Sequence, residues 1–258
     1  MISRKSPREI GQMRRAGRVV AEVLALMESE IRPGISTIEL DRLAEAHIKR
    51  AGAIPSFKGY LGDGRYGKGP RAFPASTCIS IDAEVVHGIP DERVIREGQL
   101  VSVDVGAIVD RWHGDGARTF IVGSVAPAVT ELVEATRLAM MAGIAAAVPG
   151  ARIGDISGAI EDVGTAHGYG IVRQFVGHGI GTEMHQDPQV PNYRAGPRGA
   201  ELLPGICLAI EPMFTLGGPA VRVQPDLWTV ITADGSLAAH FEHTIAVTDN
   251  GPEILTRI

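Results

Sequence analysis

Two aspartates near the middle of the chain have the spacing of a shared functional site. In VSVDVGAIV, residues 101–109, valines alternate with small or polar residues, and this period of two predicts a strand with one buried face. A turn at residues 110–111 then predicts a hairpin, and an odd separation of 11 residues puts Asp104 and Asp115 on one face of it. Such positions lie about 4.5 to 8 Å apart, where two carboxylates repel each other unless a positive charge lies between them. Taken alone, the pair fits two solvated aspartates near a turn equally well.

The two halves of the sequence repeat these features in the same order. Each half has a long helix pattern, a Pro-Gly stop, a second helix pattern, a His-Gly-Ile motif, and a glycine followed six residues later by a carboxylate ending an apolar strand. That carboxylate is Asp104 in the first half and Glu211 in the second, and each half has one further strand carboxylate, Asp115 and Glu242. The repeat predicts an α/β fold of two related halves packed about a pseudo-twofold axis. Asp104 with Glu211, and Asp115 with Glu242, are then symmetry mates near the axis.

The four carboxylates and His178, which lies between glycines in VGHGIG, form a set suited to metal binding. Four negative charges approximately balance two divalent cations, and carboxylate-rich ligation without thiolates suits Mn, Fe(II) or Co better than structural zinc. Two cations about 3.5 to 4 Å apart, bridged by shared carboxylates, fit such a cluster. The alternative for His178 is a structural histidine in a glycine-rich turn. Clustering with the carboxylates favours the functional interpretation, because titratable groups gather at functional sites.

Local signals predict the elements that position these residues. Capping boxes begin at Ser6 and Ser36, and Pro-Gly pairs end two of the helix patterns. The predicted helices run over about 7–32, from the cap at Ser36 to Gly52, over 129–148 and over 153–167. A strand pattern covers 77–81, and strands with Gly/Pro turns dominate from Phe175 onward. The four glycines of 60–71 predict an exposed loop.

Composition and charge restrict the class of protein. The 258 residues are 45% hydrophobic and 21% charged, which predicts one folded domain over 1–258, with halves of roughly 1–125 and 126–258, that needs no disulfides. A formal net charge of −5 without a Lys/Arg block argues against nucleic acid or an anionic membrane as the main partner. The longest weakly polar run, 138–148, is too short to span a bilayer, and the N-terminus is charged where a signal peptide is apolar. A cytoplasmic protein is expected.

Five runs of the sequence carry a family resemblance that covers nearly the whole chain. They are VVHGIP (85–90), DVGAIVDRWHGDGARTFIVG (104–123), VGHGIGTEMHQDPQVPNY (176–193), GICLAIEPMF (205–214) and FEHTIAVTDNG (241–251). The chain resembles the type I methionine aminopeptidases, whose pita-bread fold is shared with creatinase and prolidase. This implies a curved, mainly antiparallel sheet with outer helices. Without the N-terminal domain of prolidases or the zinc-finger extension of eukaryotic type I enzymes, it resembles the short bacterial form.

The resemblance also implies roles for the individual polar residues. Two divalent metal ions, drawn from Co, Mn, Fe(II), Ni or Zn, are bound by the same five residues, Asp104, Asp115, His178, Glu211 and Glu242. A bridging water then attacks the first peptide bond, and Glu211 accepts a proton as well as binding metal. His185 in TEMHQDP matches the histidine that contacts the substrate carbonyl or amide, and His87 in VVHGIP matches the one near the leaving amide. The alternative for both histidines is a supporting or structural role.

A pocket for the methionine side chain follows from the same resemblance. It maps onto soft or aromatic residues suited to a thioether: Phe73, Cys78, Met184 and Trp228. Ordinary core packing is the alternative for these four. Phe73 stands where the family often has tyrosine, the loop before it is longer and richer in glycine, and Gly106 replaces a threonine seen in some members. These departures leave the shape of the pocket open.

The function implied is removal of the initiator methionine from nascent polypeptides whose second residue is small. The N-termini of these chains are the expected partners of a monomer near the ribosome, with neither nucleic acid nor membrane as substrate. One rival function is an X-Pro peptidase on the same fold. A second is a non-catalytic protein that binds ribosomes or chains, which the retention of all five ligand positions argues against.

Overall fold

The helices follow the local signals in the sequence. In this computed structural model, which describes residues 2–61 and 72–258, they are α1 (Pro7–Glu30), α2 (Thr37–Arg50), α3 (Pro127–Ala146) and α4 (Ile153–His167). Both predicted capping boxes form, with Ser6 and Ser36 each accepting a hydrogen bond from the N–H group three residues later. The predicted loop over 60–71 lies almost wholly outside the described residues.

The boundaries of the first and third helices differ from the prediction. The first helix ends at Glu30 instead of Arg32, because Pro33 disfavours helical backbone at the residue before it. The third helix is shifted by two residues at both ends. It begins at Pro127, whose ring fixes a helical φ angle at the first position, although the cap residue Ala126 makes no side-chain hydrogen bond.

Each pair of helices is followed along the chain by a run of strands. In the described chain they are β1 (Ile54–Pro55), β2 (Thr77–Ile81), β3 (Glu84–Val86), β4 (Leu100–Val109), β5 (Trp112–Ile121), β6 (Gly170–Ile171), β7 (Gly177–Gly179), β8 (Gln186–Val190), β9 (Cys207–Ile210), β10 (Met213–Thr215), β11 (Val221–Val223), β12 (Val230–Thr232), β13 (Ala238–His240), β14 (Glu242–Thr248) and β15 (Gly251–Ile254). The main sheet is antiparallel, with the order β1-β4-β5-β14-β9-β7-β8; β2 pairs with β4 and β15 with β14. Two small sheets, β13-β10-β6 and β11-β12-β3, complete the strand pairing.

The strand order confirms the predicted pseudo-twofold relation of the halves. Its axis passes between β5 and β14, which relates β4 to β9, β5 to β14, and the pair α1 and α2 to the pair α3 and α4. Asp104 and Glu211 are therefore related by the axis, and so are Asp115 and Glu242. One apolar cluster lies between the first helix pair and the sheet, and a second cluster packs against the other pair.

One of the repeated sequence features is not part of this symmetry. The repeat pairs the two His-Gly-Ile motifs with each other, but the axis does not relate their positions. His178 is on β7, beside β9, whereas Gly88 accepts a hydrogen bond from Ile79 on the outer side of β2. Because β2 is the counterpart of β7, His87 has its counterpart further out, towards β8. A short motif repeated by chance produced the wrong match.

A close backbone contact fixes the first helix against the site-bearing hairpin. A Cβ atom on Gly114 would lie 2.6 Å from the backbone nitrogen of Gly17, so position 114 needs a glycine where α1 crosses β5. Because successive side chains of a strand point to opposite faces, the next residue, Asp115, faces away from this helix and lines the cavity. Among the described helices, none combines the length and the apolar character needed to cross a lipid bilayer.

Candidate metal centre and peptide cavity

The hairpin formed by β4 and β5 brings the first two carboxylates together, as its spacing predicts. The turn lies at Asp110 and Arg111, both in the left-handed region, and the ladder is regular throughout. Asp104 is paired with Ala117, and Asp115 with Gly106, so the two aspartates are diagonal neighbours on one face.

Two strands from the second half extend this row of carboxylates. Glu242, the first residue of β14, is paired with Ala117, which is itself paired with Asp104. The small side chain of Ala117 therefore leaves open space between Asp104 and Glu242. Glu211 follows directly after β9, which pairs with β14 on its other side. Four consecutive strands of the sheet thus place one carboxylate each over the same space.

His178 joins this group from β7, and its neighbours determine its protonation. Its Nδ1 atom lies 3.0 Å from the carbonyl oxygen of Gly179, which can only accept a hydrogen bond. In the neutral ring the proton is therefore on Nδ1 and the lone pair on Nε2, as a metal-binding histidine requires. Nε2 lies 3.5 Å from Oε1 of Glu211. Asp115, His178 and Glu242 each offer one ligand atom, and these atoms all lie within 4.8 Å of one another.

The donor set fits a cation better than it fits a metal-free core. Oδ1 of Asp104 and Oε1 of Glu242 are buried and have no hydrogen-bond partner among the described residues. Burial raises the pKa of Asp115 to about 7, while burial and the neighbouring carboxylates raise the pKa values of Asp104, Glu211 and Glu242 well above their usual range. An unpaired buried charge costs several kcal/mol, roughly, and a bound cation removes that cost for several carboxylates at once.

The two further histidines predicted at the site lie on the same cavity. His185 has its ring centroid 4.3 Å from that of His178, and its Nδ1 atom is 2.6 Å from the phenol oxygen of Tyr60. His87 is in the left-handed region, with φ at 60°, and its ring meets that of Phe175 edge-on at 5.4 Å. Burial lowers the pKa of His87 to about 4, so its ring is neutral at pH 7.

The four residues predicted for a methionine pocket also line this cavity, which has a volume of about 120 Å³. A single water needs about 10 to 15 Å³ of such space, so there is room for a side chain. Phe73 packs edge-on against Trp228 at 5.3 Å, and Phe73, Cys78 and Met184 belong to one buried apolar cluster. All eleven residues that the sequence predicted for the site therefore surround one space, which the strand order alone could not have guaranteed.

The structure gives a reason for the departure at Gly106. A Cβ atom there would lie 2.7 Å from Cβ of Ser56 and 3.0 Å from Cε1 of Phe57. Phe57 also lines the cavity, and its ring is edge-on to that of Phe73 at 6.5 Å. Glycine at position 106 thus leaves free the space into which Phe57 and Ser56 pack.

Several residues at the site were missed by sequence reasoning. Buried His240 has Nε2 3.5 Å from Oε2 of Glu211, and burial lowers its pKa to about 3. Asn192 donates to the backbone carbonyl of Glu211 at 3.1 Å. The hydroxyl of Thr244 accepts from the N–H of Asp115 at 2.9 Å and donates to its carbonyl at 2.8 Å, in place of backbone pairing.

Two of these had a usable sequence signal. His240 and Thr244 lie two residues before and two residues after Glu242 in HFEHT, so strand periodicity could have placed both on the same face of the chain as the glutamate. Asn192, Tyr60 and Phe57 reach the site through contacts between distant segments, which no local pattern records.

Comparisons with known proteins agree with this geometry. The family model of metallopeptidase family M24 matches residues 11–249. A methionine aminopeptidase of Clostridium acetobutylicum is 50% identical over 257 residues, covering 99% of each chain, and methionine aminopeptidase 1 of Bacillus subtilis is 46% identical and covers 100% of each. The crystal structure of a methionine aminopeptidase from Thermotoga maritima has a TM-score of 0.94 and 42% identity over 100% of both chains. The fold is thus the pita-bread fold, and the chain belongs to metallopeptidase family M24.

Proposed function

We propose that this chain is a methionine aminopeptidase, which releases the first methionine of a peptide when the second residue is small. The observation that carries the proposal is the single cavity in which a carboxylate-histidine cluster meets an apolar, sulfur-containing pocket. Relatives of that name match the chain over essentially their whole lengths, which supports the same activity here.

A peptidase of this family works with a divalent metal ion, and five residues would hold it here. In the proposal they bind two ions, of Co, Mn, Fe(II), Ni or Zn, through Asp104, Asp115, His178, Glu211 and Glu242. The bound cations supply Lewis acidity, which polarises a carbonyl group and lowers the pKa of water. Thr244 and Asn192 support this set, because they fix the backbone of Asp115 and of Glu211.

The proton transfers are assigned to side chains at the edge of the cluster. Glu211 accepts the proton of the attacking water, since its carboxylate lies between His178 and His240. We assign the phenol of Tyr60, 2.6 Å from Nδ1 of His185, as the donor in this pair, which leaves the proton of His185 on Nε2 for the carbonyl of the scissile bond. His87, neutral at pH 7, contacts the nitrogen of the same peptide bond.

The pocket accounts for selection of methionine. Its walls are Phe73, Cys78, Met184 and Trp228, and the deep burial of three of them excludes water around a thioether. Burial raises the pKa of Cys78 well above its usual range, so its thiol stays uncharged beside the cluster. The limit to a small second residue comes from the family resemblance.

The experiment measures release of methionine from a Met-Ala-Ser peptide by metal-stripped protein, with each of the five metals added back. We expect the added metal to restore cleavage by the wild type. We expect no cleavage by a folded Asp104→Ala variant. A Leu-Pro-Ser peptide tests the X-Pro rival in the same assay. Cleavage of that peptide alone would replace the proposed function, and no cleavage of either peptide by folded, metal-loaded protein would favour the non-catalytic binding protein.

The proposal also includes a setting for the reaction. The chain acts as a cytoplasmic monomer on nascent polypeptides near the ribosome. Sedimentation of the pure protein tests the monomer, and co-sedimentation with translating ribosomes tests the association.

A further inference from the structure

Two exposed apolar side chains lie at the mouth of the cavity, on the hairpin of β11 and β12. Val223 and Leu227 both line the cavity, yet they are 51% and 49% exposed. Single exposed apolar side chains are common, but these two are exposed while also lining the same cavity. Continuity with the cavity indicates a ligand that extends outward from it.

Leu227 holds this position in an unfavourable backbone conformation. Its φ angle is 70°, in the left-handed region that a branched side chain rarely adopts. Glycine would adopt the same backbone without steric cost. Strain of this kind persists where the surrounding structure enforces it, and it is concentrated at ligand-binding sites.

Hydrogen bonds within the loop enforce the conformation. The N–H of Leu227 donates to the carbonyl of Gln224 at 2.9 Å, and the N–H of Gln224 donates to the carbonyl of Thr229 at 2.8 Å. The carboxylate of Asp226 accepts from the N–H groups of Trp228 and Thr229 at 2.9 Å, and from the Thr229 hydroxyl at 2.6 Å. Leu227 is therefore presented on a fixed loop.

The next residue connects this rim to the methionine pocket. Trp228 points inward, with its ring 5.3 Å from that of Phe73 and 6.3 Å from that of His87. Leu227, one residue earlier, remains at the rim. A peptide with its methionine beside Trp228 passes this rim as it leaves the cavity. The side chain of the small second residue is too short to reach the rim, so the side chains of the following residues contact it.

We infer that Leu227 and Val223 form a subsite for apolar side chains that follow the small second residue of the peptide. The inference rests on the proposed function and adds a preference that the methionine pocket cannot provide. Burying an apolar side chain against the rim excludes water from both surfaces. Substrates with leucine at the third and fourth positions should be cleaved more efficiently than those with serine there.

The test compares kcat/KM for Met-Ala-Leu-Leu-Ser and Met-Ala-Ser-Ser-Ser. The wild type should prefer the leucine peptide by about fivefold, and the variants Leu227→Gly and Leu227→Asn should each reduce that preference to about twofold or less. Both replacements tolerate left-handed backbone, so both variants should fold. Arg111→Gly is the matched control, because Arg111 has the same φ angle of 70° in an exposed turn away from the cavity. It should keep the wild-type preference.

The outcomes separate this inference from the proposed function. A wild type inactive on both peptides contradicts the function itself. An active wild type without preference, or with a preference that both Leu227 variants retain, overturns the subsite alone. Loss of preference in Leu227→Gly but not in Leu227→Asn also overturns it, because greater loop freedom would then be the cause.

Discussion

The phenol oxygen of Tyr60 lies 2.6 Å from Nδ1 of His185, across 125 residues of sequence. The two rings are 5.4 Å apart and tilted by 44°, so they are held by one directed hydrogen bond and not by stacking. Tyr60 thereby influences which nitrogen of His185 carries the proton. Tyr60 thus lies between the apolar and the polar residues of the cavity wall.

Removing this hydrogen bond should lower turnover more than it lowers metal binding. For Tyr60→Phe we expect kcat to fall about tenfold, the usual scale for a residue that orients a catalytic histidine, with metal content unchanged. His185→Ala should lose more activity, again with its metal retained. The double variant should be no worse than His185→Ala alone. Additive losses would show that Tyr60 and His185 act independently.

The metal-free protein should become less stable as the pH rises. Burial raises the pKa of Asp115 from 3.8 to about 7, so the folded state binds this proton more tightly than the unfolded state. The resulting stabilisation of the folded state is complete below about pH 4 and is lost as the pH rises to about 7. For this one group it amounts to about 4 kcal/mol in the free energy of unfolding. Thermal melting of chelator-treated protein between pH 5 and 8 measures it.

Two controls accompany that measurement. Asp115→Asn removes the titrating group, so its melting temperature should fall less steeply over the same interval than that of the wild type. Added Mn²⁺ at pH 8 should raise the melting temperature of the wild type far more than that of the variant. Equal pH slopes for the two proteins would contradict the assignment to Asp115.

His87 can be tested without disturbing its unusual backbone. Asparagine tolerates the left-handed region better than most residues, so His87→Asn should keep the fold, whereas His87→Val should also destabilise it. Because His87 is assigned to the reacting peptide bond, we expect kcat/KM of His87→Asn to fall about a hundredfold. The melting temperature and metal content should stay near wild type. Activity within twofold of wild type would reduce His87 to a packing role.

The pocket should respond to a side chain at position 106. Gly106→Ala places a Cβ atom 2.7 Å from that of Ser56 and 3.0 Å from the ring of Phe57, so something must shift. We expect a loss of about 1 to 3 kcal/mol in stability and a higher KM for methionine peptides. Adding Phe57→Ala should reduce the clash, so that Gly106→Ala costs less stability in that background. An equal cost in both backgrounds would show that Phe57 does not fill this space.

Much of the fold could be read from local signals. The capping boxes at Ser6 and Ser36 set two helix starts, and the alternation around Asp104 set the hairpin with its turn, because each signal involves residues that are neighbours in the chain. The residue types of the five carboxylate and histidine positions were sufficient to predict a metal centre, since such a set is unstable without a cation.

Only the tertiary structure decided how distant segments meet. Three features depend on packing of the whole sheet. They are the pairing of Glu242 with Ala117, the position of Leu227 at the rim, and the hydrogen bond between Tyr60 and His185. The mistaken match of the two His-Gly-Ile motifs has the same origin. A strand pattern specifies which face a residue lies on, but its neighbour across the ladder depends on the strand order. That order depends on the packing of distant segments against one another, and a one-dimensional pattern does not contain it.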